Sequence, residues 1–121
     1  MYMDNKEFSK QLEIRTKKFA ISVITLSTSM SNTQENKVIK NQLTKSGTSI
    51  GANYREANRS RSKADFSNKI KICESEASET VYWLEIIADL KLVDPQKGKL
   101  ILTEANEILA IFTSISKKLK N

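Results

Sequence analysis

Histidine is absent from this 121-residue chain, and cysteine occurs once, at Cys73. Without histidine there is no Ser-His-Asp or Cys-His nucleophile system. The usual zinc ligand sets are excluded as well. One cysteine cannot form an internal disulfide or a thiolate cluster, which fits a reducing compartment. There is one proline and there are three glycines, so few residues interrupt long helices. No apolar run approaches the 18 to 20 residues that a bilayer span requires. The opening "MYMDNKEFSK" also lacks the apolar stretch of a signal peptide, and a cytoplasmic location with no membrane partner is expected. Neither "GxxxxGK[ST]" nor "GxGxxG" occurs, so both common phosphate loops are missing; "TKSGTS" (44–49) lacks the spacing.

What remains is polar and basic. Hydrophobic residues make up 39% and charged residues 28%, an ordinary composition for one domain with a modest core. Lysine and arginine outnumber aspartate and glutamate by 20 to 14, a net charge of +6. Residues 1–60 and 61–121 carry 10 basic residues each but 5 and 9 acidic ones, so the N-terminal half is the more basic. Such a surplus draws a chain toward nucleic acid or an acidic protein, or serves solubility alone.

Four apolar stripes run at steps near three and four, the signature of amphipathic helices. The first is Phe8, Leu12, Phe19, Val23, Leu26 and Met30, widened by Ile14, Ile21 and Ile24, with Arg15 in its gap. The second passes through Val38 or Ile39, Leu43, Ser46 or Gly47, Ile50, Asn53 or Tyr54, and Ala57. Its small residues predict either close helix approach or a break. The third runs from Phe66 through Ile70, Cys73, Ala77, Thr80 or Val81, and Leu84 to Ile87 or Ala88. The fourth is Ile101, Ala105, Ile108, Phe112, Ile115 and Leu119. Asn32 with Glu35, or Thr33, caps the second helix; Ser62 caps the third, and Asp94 with Pro95 opens the fourth. Gly98 argues for a slightly later start. The short connections imply one antiparallel, up-down-up-down four-helix bundle over 1–121, all-α, with helices near 7–30, 33–58, 62–91 and 96–119.

Few residues carry chemistry. Cys73 lies on an apolar stripe and reads as a small buried hydrophobe. A di-iron bundle needs Glu-x-x-His pairs, which are missing. Glu76 and Glu79 share a face and Glu56 can approach them, but a structural network fits better than catalysis. No enzyme activity, catalytic residue, metal or cofactor is expected. The polar network is expected to join Asn53 and Glu56 with Arg61, Lys69, Glu76 or Glu79. Breaking a buried charged pair costs about 3–5 kcal/mol, so Glu56→Ala should cost well over about 1 kcal/mol.

Arg55, Arg59, Arg61, Lys63, Lys69 and Lys71 cluster around the second turn. They read as nucleic-acid phosphate contacts, or as a basic rim with intramolecular partners. Tyr54 and the core residue Phe66 are the only rings nearby, which leaves a base-stacking platform poorly supported. Tyr82 and Trp83 lie about 100° apart on one helix, so one is expected at a subunit interface unless a wide core takes both.

"QLTKSGTSIGANYREANRSRSKADFSNKIKICESEASETVYWLEII" (42–87) is the most distinctive part of the chain. It resembles a bacterial four-helix-bundle family first noticed as an open reading frame in intervening sequences of large-subunit ribosomal RNA genes. Its members were once classed as a ribosomal protein. The resemblance extends over roughly 8–120. It rests on "SIGANYREA", "RSKADF" and "ESEASETVYWL". Many relatives have arginine at Lys45 and proline at Gly51. The resemblance implies a cytoplasmic homopentamer with no established enzyme activity and no required cofactor. More distant relatives are accessory proteins of reverse transcriptases in diversity-generating retroelements, which bind nucleic acid through a basic surface. That implies RNA, DNA, a reverse transcriptase or another protein as candidate partners. The competing reading is a structural or protein-interaction module with no nucleic-acid role.

Overall fold

The structure is a computed structural model and describes residues 5–120. Four helices follow one another: α1 (Lys6–Thr28), α2 (Gln34–Ala57), α3 (Lys63–Asp89) and α4 (Pro95–Leu119). Each packs along its neighbours in sequence, and α4 returns to α1 along a slighter seam. The result is an all-α four-helix bundle. Among the described residues, no helix is long and apolar enough to cross a membrane.

Local chemistry sets the helix ends. Asn5, Thr33, Ser62 and Asp94 each accept a hydrogen bond from the backbone amide three residues on. Each satisfies an amide that the first helical turn would otherwise leave unpaired. Of the two cap candidates before α2, Thr33 takes the position, while Asn36 is buried and donates to Ser31. Helix α1 stops two residues before the expected end, because Ser29 hydrogen-bonds the Leu26 carbonyl through both its amide and its hydroxyl. Helix α3 ends in a reciprocal pair, Leu92 N to Ile87 O and Lys91 N to Ala88 O. That Schellman closure puts Lys91 at φ 55, where glycine is usual. Gly98 does not delay α4: its amide bonds the Asp94 carbonyl at 2.9 Å, and the helix begins at Pro95.

The stripes become the core. Phe19, Val23, Leu43, Ile50, Phe66, Ile70, Cys73, Leu84, Ile108 and Phe112 are buried in one cluster. Helix α2 runs unbroken through its glycines, which mark where α1 comes closest. A methyl on Gly47 would lie 2.9 Å from both Val23 methyls, and one on Gly51 would lie 3.3 Å from the Thr16 backbone carbon. Thr80 Oγ1 lies 2.7 Å from the Glu76 carbonyl and 2.9 Å from Ser46 Oγ. Its single proton goes to the carbonyl, and it accepts from Ser46. Two expected apolar faces stay in water. Ile21 is half a turn around α1 from Leu12, and with Ile14 and Ile24 it is exposed. Phe8, in the first turn of α1, is 45% exposed.

Candidate nucleic-acid interface

Alternating helix direction brings the start of α1, the end of α2, the start of α3 and the end of α4 to one end of the bundle. A cup lined by Asn5, Phe8, Ser9, Tyr54, Phe66, Ile115 and Lys118 joins all four. Two helix N-termini and two C-termini meet here, so their dipoles largely offset one another. Side-chain charge therefore decides the local potential.

That charge is positive. Arg59 and Arg61 stand in the α2–α3 turn and Lys63 opens α3, all exposed. Lys6 and Lys10 come from α1, and Lys117, Lys118 and Lys120 from the end of α4. None of these eight has a carboxylate partner among the described residues. The α1 and α4 lysines were not part of the sequence cluster. The signal for them was the topology itself, since an up-down-up-down chain returns both termini to the α2–α3 turn.

The other three cations of the cluster are placed differently. Arg55 faces the α1–α2 groove and approaches Glu13 at 3.6 Å. Glu13 also accepts from Asn58 Nδ2 at 2.9 Å, so it ties α1 to the end of α2. Lys69 pairs with Glu56 at 3.6 Å. Lys71 lies two turns into α3, beside Glu74, Glu79 and Tyr82. Intramolecular pairing thus describes Arg55 and Lys69, while Arg59, Arg61, Lys63 and Lys71 remain open.

The expected polar network is not assembled as one unit. Asn53 donates to the Ser49 carbonyl of its own helix at 2.9 Å. The Glu56 side chain is 68% exposed, and among the described residues its ion-pair partner is Lys69. An exposed pair contributes about 0–1 kcal/mol, so the large cost expected for Glu56→Ala falls to below about 1 kcal/mol. Arg61 makes no ion pair among the described residues. Burial raises the Glu76 carboxyl above its ordinary pKa; Glu79 adds to this and Lys45 opposes it. Glu79 accepts from the Trp83 indole at 3.2 Å. The three-residue spacing of Asn53 and Glu56 puts them near one face, but it says nothing of how deep that face lies.

Trp83 packs half-buried against the core, and Tyr82 is 56% exposed with its ring edge-on to the indole at 5.1 Å. Cys73 is fully buried, its Sγ 3.5 Å from the Ile50 carbonyl, and burial pushes the thiol up to about 12. Tyr54 is buried edge-on to Phe112 at 5.4 Å. Burial raises its phenol, with Ser9 and Asn58 opposing the shift. Among the described residues, no group of three acidic or thiol side chains is placed to hold a metal ion.

Over residues 5–114 the chain matches the model of the 23S rRNA-intervening sequence protein family. It belongs to that family. A solved structure from Bacteroides thetaiotaomicron, of a protein with unknown function from the S23 ribosomal protein family, is 37% identical. The match covers 87% of this chain and 97% of that one, with a TM-score of 0.80. No curated protein matches. Membership links the chain to a family named for rRNA intervening sequences, and it assigns no reaction.

Proposed function

We propose that the chain is a non-enzymatic, self-associating cytoplasmic protein whose basic end contacts RNA or DNA phosphates. One observation carries this reading: eight exposed cations at one end of the bundle have no carboxylate partner among the described residues and outnumber the carboxylates around them, Glu7, Glu13, Glu56 and Asp65, of which Glu13 and Glu56 are already engaged by Arg55 and Lys69. Cations held for stability would be paired, as Arg15, Arg55 and Lys69 are. Unpaired cations concentrated on one surface keep their field available to a polyanion.

The test is binding of the nuclease-treated protein to duplex DNA and structured RNA over a salt series. Phosphate contact gives saturable binding whose log affinity falls linearly with log salt, by roughly 0.9 per duplex phosphate contacted. Changing Arg59, Arg61 and Lys63 together to glutamine removes no ion pair seen in the bundle, so the fold is kept. It should weaken binding alike across unrelated sequences and flatten the salt dependence. Absence of saturable binding at low salt overturns the reading.

A further inference from the structure

We infer that the outward side of α1 is a docking ridge for a second copy of this chain, seated head-to-tail on the acidic outer face of that copy's α3. This rests on the self-association reading and deepens it by naming the two faces that meet.

The ridge is a second stripe on α1. Ile14, Lys17, Ile21, Ile24 and Thr28 follow one another at steps of 3, 4, 3 and 4, the spacing of a helical seam. The core stripe of the same helix, from Leu12 through Phe19 and Val23 to Leu26, takes the opposite side. Ile14, Ile21 and Ile24 are therefore left 42%, 55% and 45% exposed. Single apolar side chains on a surface are ordinary. Three aligned at seam spacing, on a helix that already has a core face, mark a contact surface. Isoleucine in a helix holds close to one rotamer, so the ridge is stiff before anything docks.

Charge selects the occupant. Lys17 stands in the ridge and Lys18 at its edge, both exposed and without a carboxylate partner among the described residues. Two such ridges would set lysine against lysine, which disfavours α1 docking on α1. The chain carries its own complement on α3, which does not touch α1 within one bundle. Residues 72–89 hold five carboxylates and no cation. On the outer side of α3, the small Ser75 and Ser78 leave hollows beside the ring of Tyr82, with Glu74 and Glu79 at the edges. Neither glutamate makes an ion pair among the described residues. Isoleucines fit over the serines and the tyrosine, and the lysines reach the glutamates. Donor and acceptor are different surfaces, so the contact is heterologous and repeats from copy to copy.

Sedimentation velocity of the full chain tests the pairing with one variant for each face. Ile21→Glu spoils the ridge and Tyr82→Glu spoils the α3 face. Each alone should sediment as the single chain where the wild type sediments as an assembly. Mixed together, they retain one intact junction: the ridge of the Tyr82→Glu chain on the α3 face of the Ile21→Glu chain. The mixture should therefore give a two-chain species and nothing larger. Both replaced side chains are more than half exposed, so the helical circular dichroism should be unchanged. If Ile21→Glu loses that signal, the uncharged Ile21→Ser takes its place. If the Ile21 variant assembles like the wild type, or if the mixture stays as single chains or grows beyond pairs, the inference fails while self-association stands. A wild type that sediments as a single chain defeats both.

Discussion

Arg15 grips Glu104 across the α1–α4 seam through two parallel hydrogen bonds, Nε to Oε2 at 2.7 Å and Nη2 to Oε1 at 2.8 Å. Nη2 also donates to Glu107 at 2.6 Å. Glu104 and the neighbouring Glu107 raise the guanidinium above its ordinary pKa, while partial burial opposes them. Both side chains of the main pair are about a third exposed, at 36% and 34%, so solvent screens the attraction. Arg15→Ala is expected to lower stability by about 1 kcal/mol, at the upper end for exposed pairs because the geometry is forked. Arg15→Lys keeps the charge but loses the fork, and most of the effect should remain. Urea midpoints in a double-mutant cycle with Glu104→Gln measure the coupling. A coupling of zero would remove this pair as a clasp between the helices.

Gly47 is held by contact rather than by backbone freedom. An alanine there gains about 1 kcal/mol of helix propensity. Its methyl would also press to 2.9 Å from both methyls of Val23, a β-branched side chain with almost one rotamer in a helix. Overpacking of this kind costs about 1–3 kcal/mol, so the clash should win and Gly47→Ala should lower the urea midpoint. The Val23→Ala/Gly47→Ala double variant should cost less than the sum of the single changes. Simple additivity would show that the seam relaxes elsewhere.

Cys73 ties stability to alkaline pH. Its folded thiol holds a proton up to about 12, against an ordinary value of 9.0 for the unfolded chain. Between those limits the folded state binds more protons than the unfolded state. Stability therefore falls as pH rises, by up to about 1.4 kcal/mol per pH unit from this group. The buried Tyr54, whose phenol is raised from 10.0, adds a loss of the same sign at higher pH. Urea midpoints from pH 8 to 10 should decline more steeply for the wild type than for Cys73→Ala. Alkylation at pH 8 should occur in urea and be nearly absent without it. Equal alkylation rates in both would mean the thiol is not buried in solution.

Much of the fold is legible because its determinants are local. Ser62, Asp94 and Pro95 announce helix starts within four residues, and the stripe from Phe66 to Ile87 is buried along its length. What the sequence hides is depth and distance. Arg15 stands beside a core stripe, but its partner is 89 residues away and nothing near it names Glu104. The spacing of Phe8 marks it as core, yet it is left 45% exposed at the end of the bundle. Asn53 and Glu56 suggest a buried network, yet one turns back to Ser49 and the other points to water. The basic turn is visible as a cluster, whereas its enlargement by Lys6, Lys117 and Lys118 follows only from the chain's return to the same end.

Self-association gives the last prediction. Tyr82 is 56% exposed over a broad groove that also includes Leu109 and Thr113. Amphipathic rings of this kind are enriched at the centres of subunit interfaces. If copies meet there, Tyr82→Glu places a new charge beside Glu74 and Glu79 and should shift sedimentation velocity from the assembly toward the single chain. Tyr82→Phe should leave the assembly intact. A second apolar face competes for the same role: Leu100 is 70% exposed and borders the α1–α4 groove with Ile21. Leu100→Glu should leave the assembly unchanged if Tyr82 marks the interface. If Leu100→Glu separates the copies and Tyr82→Glu does not, the contact lies along α1 and α4 instead. A wild type that sediments as a single chain at all concentrations would overturn the self-association itself.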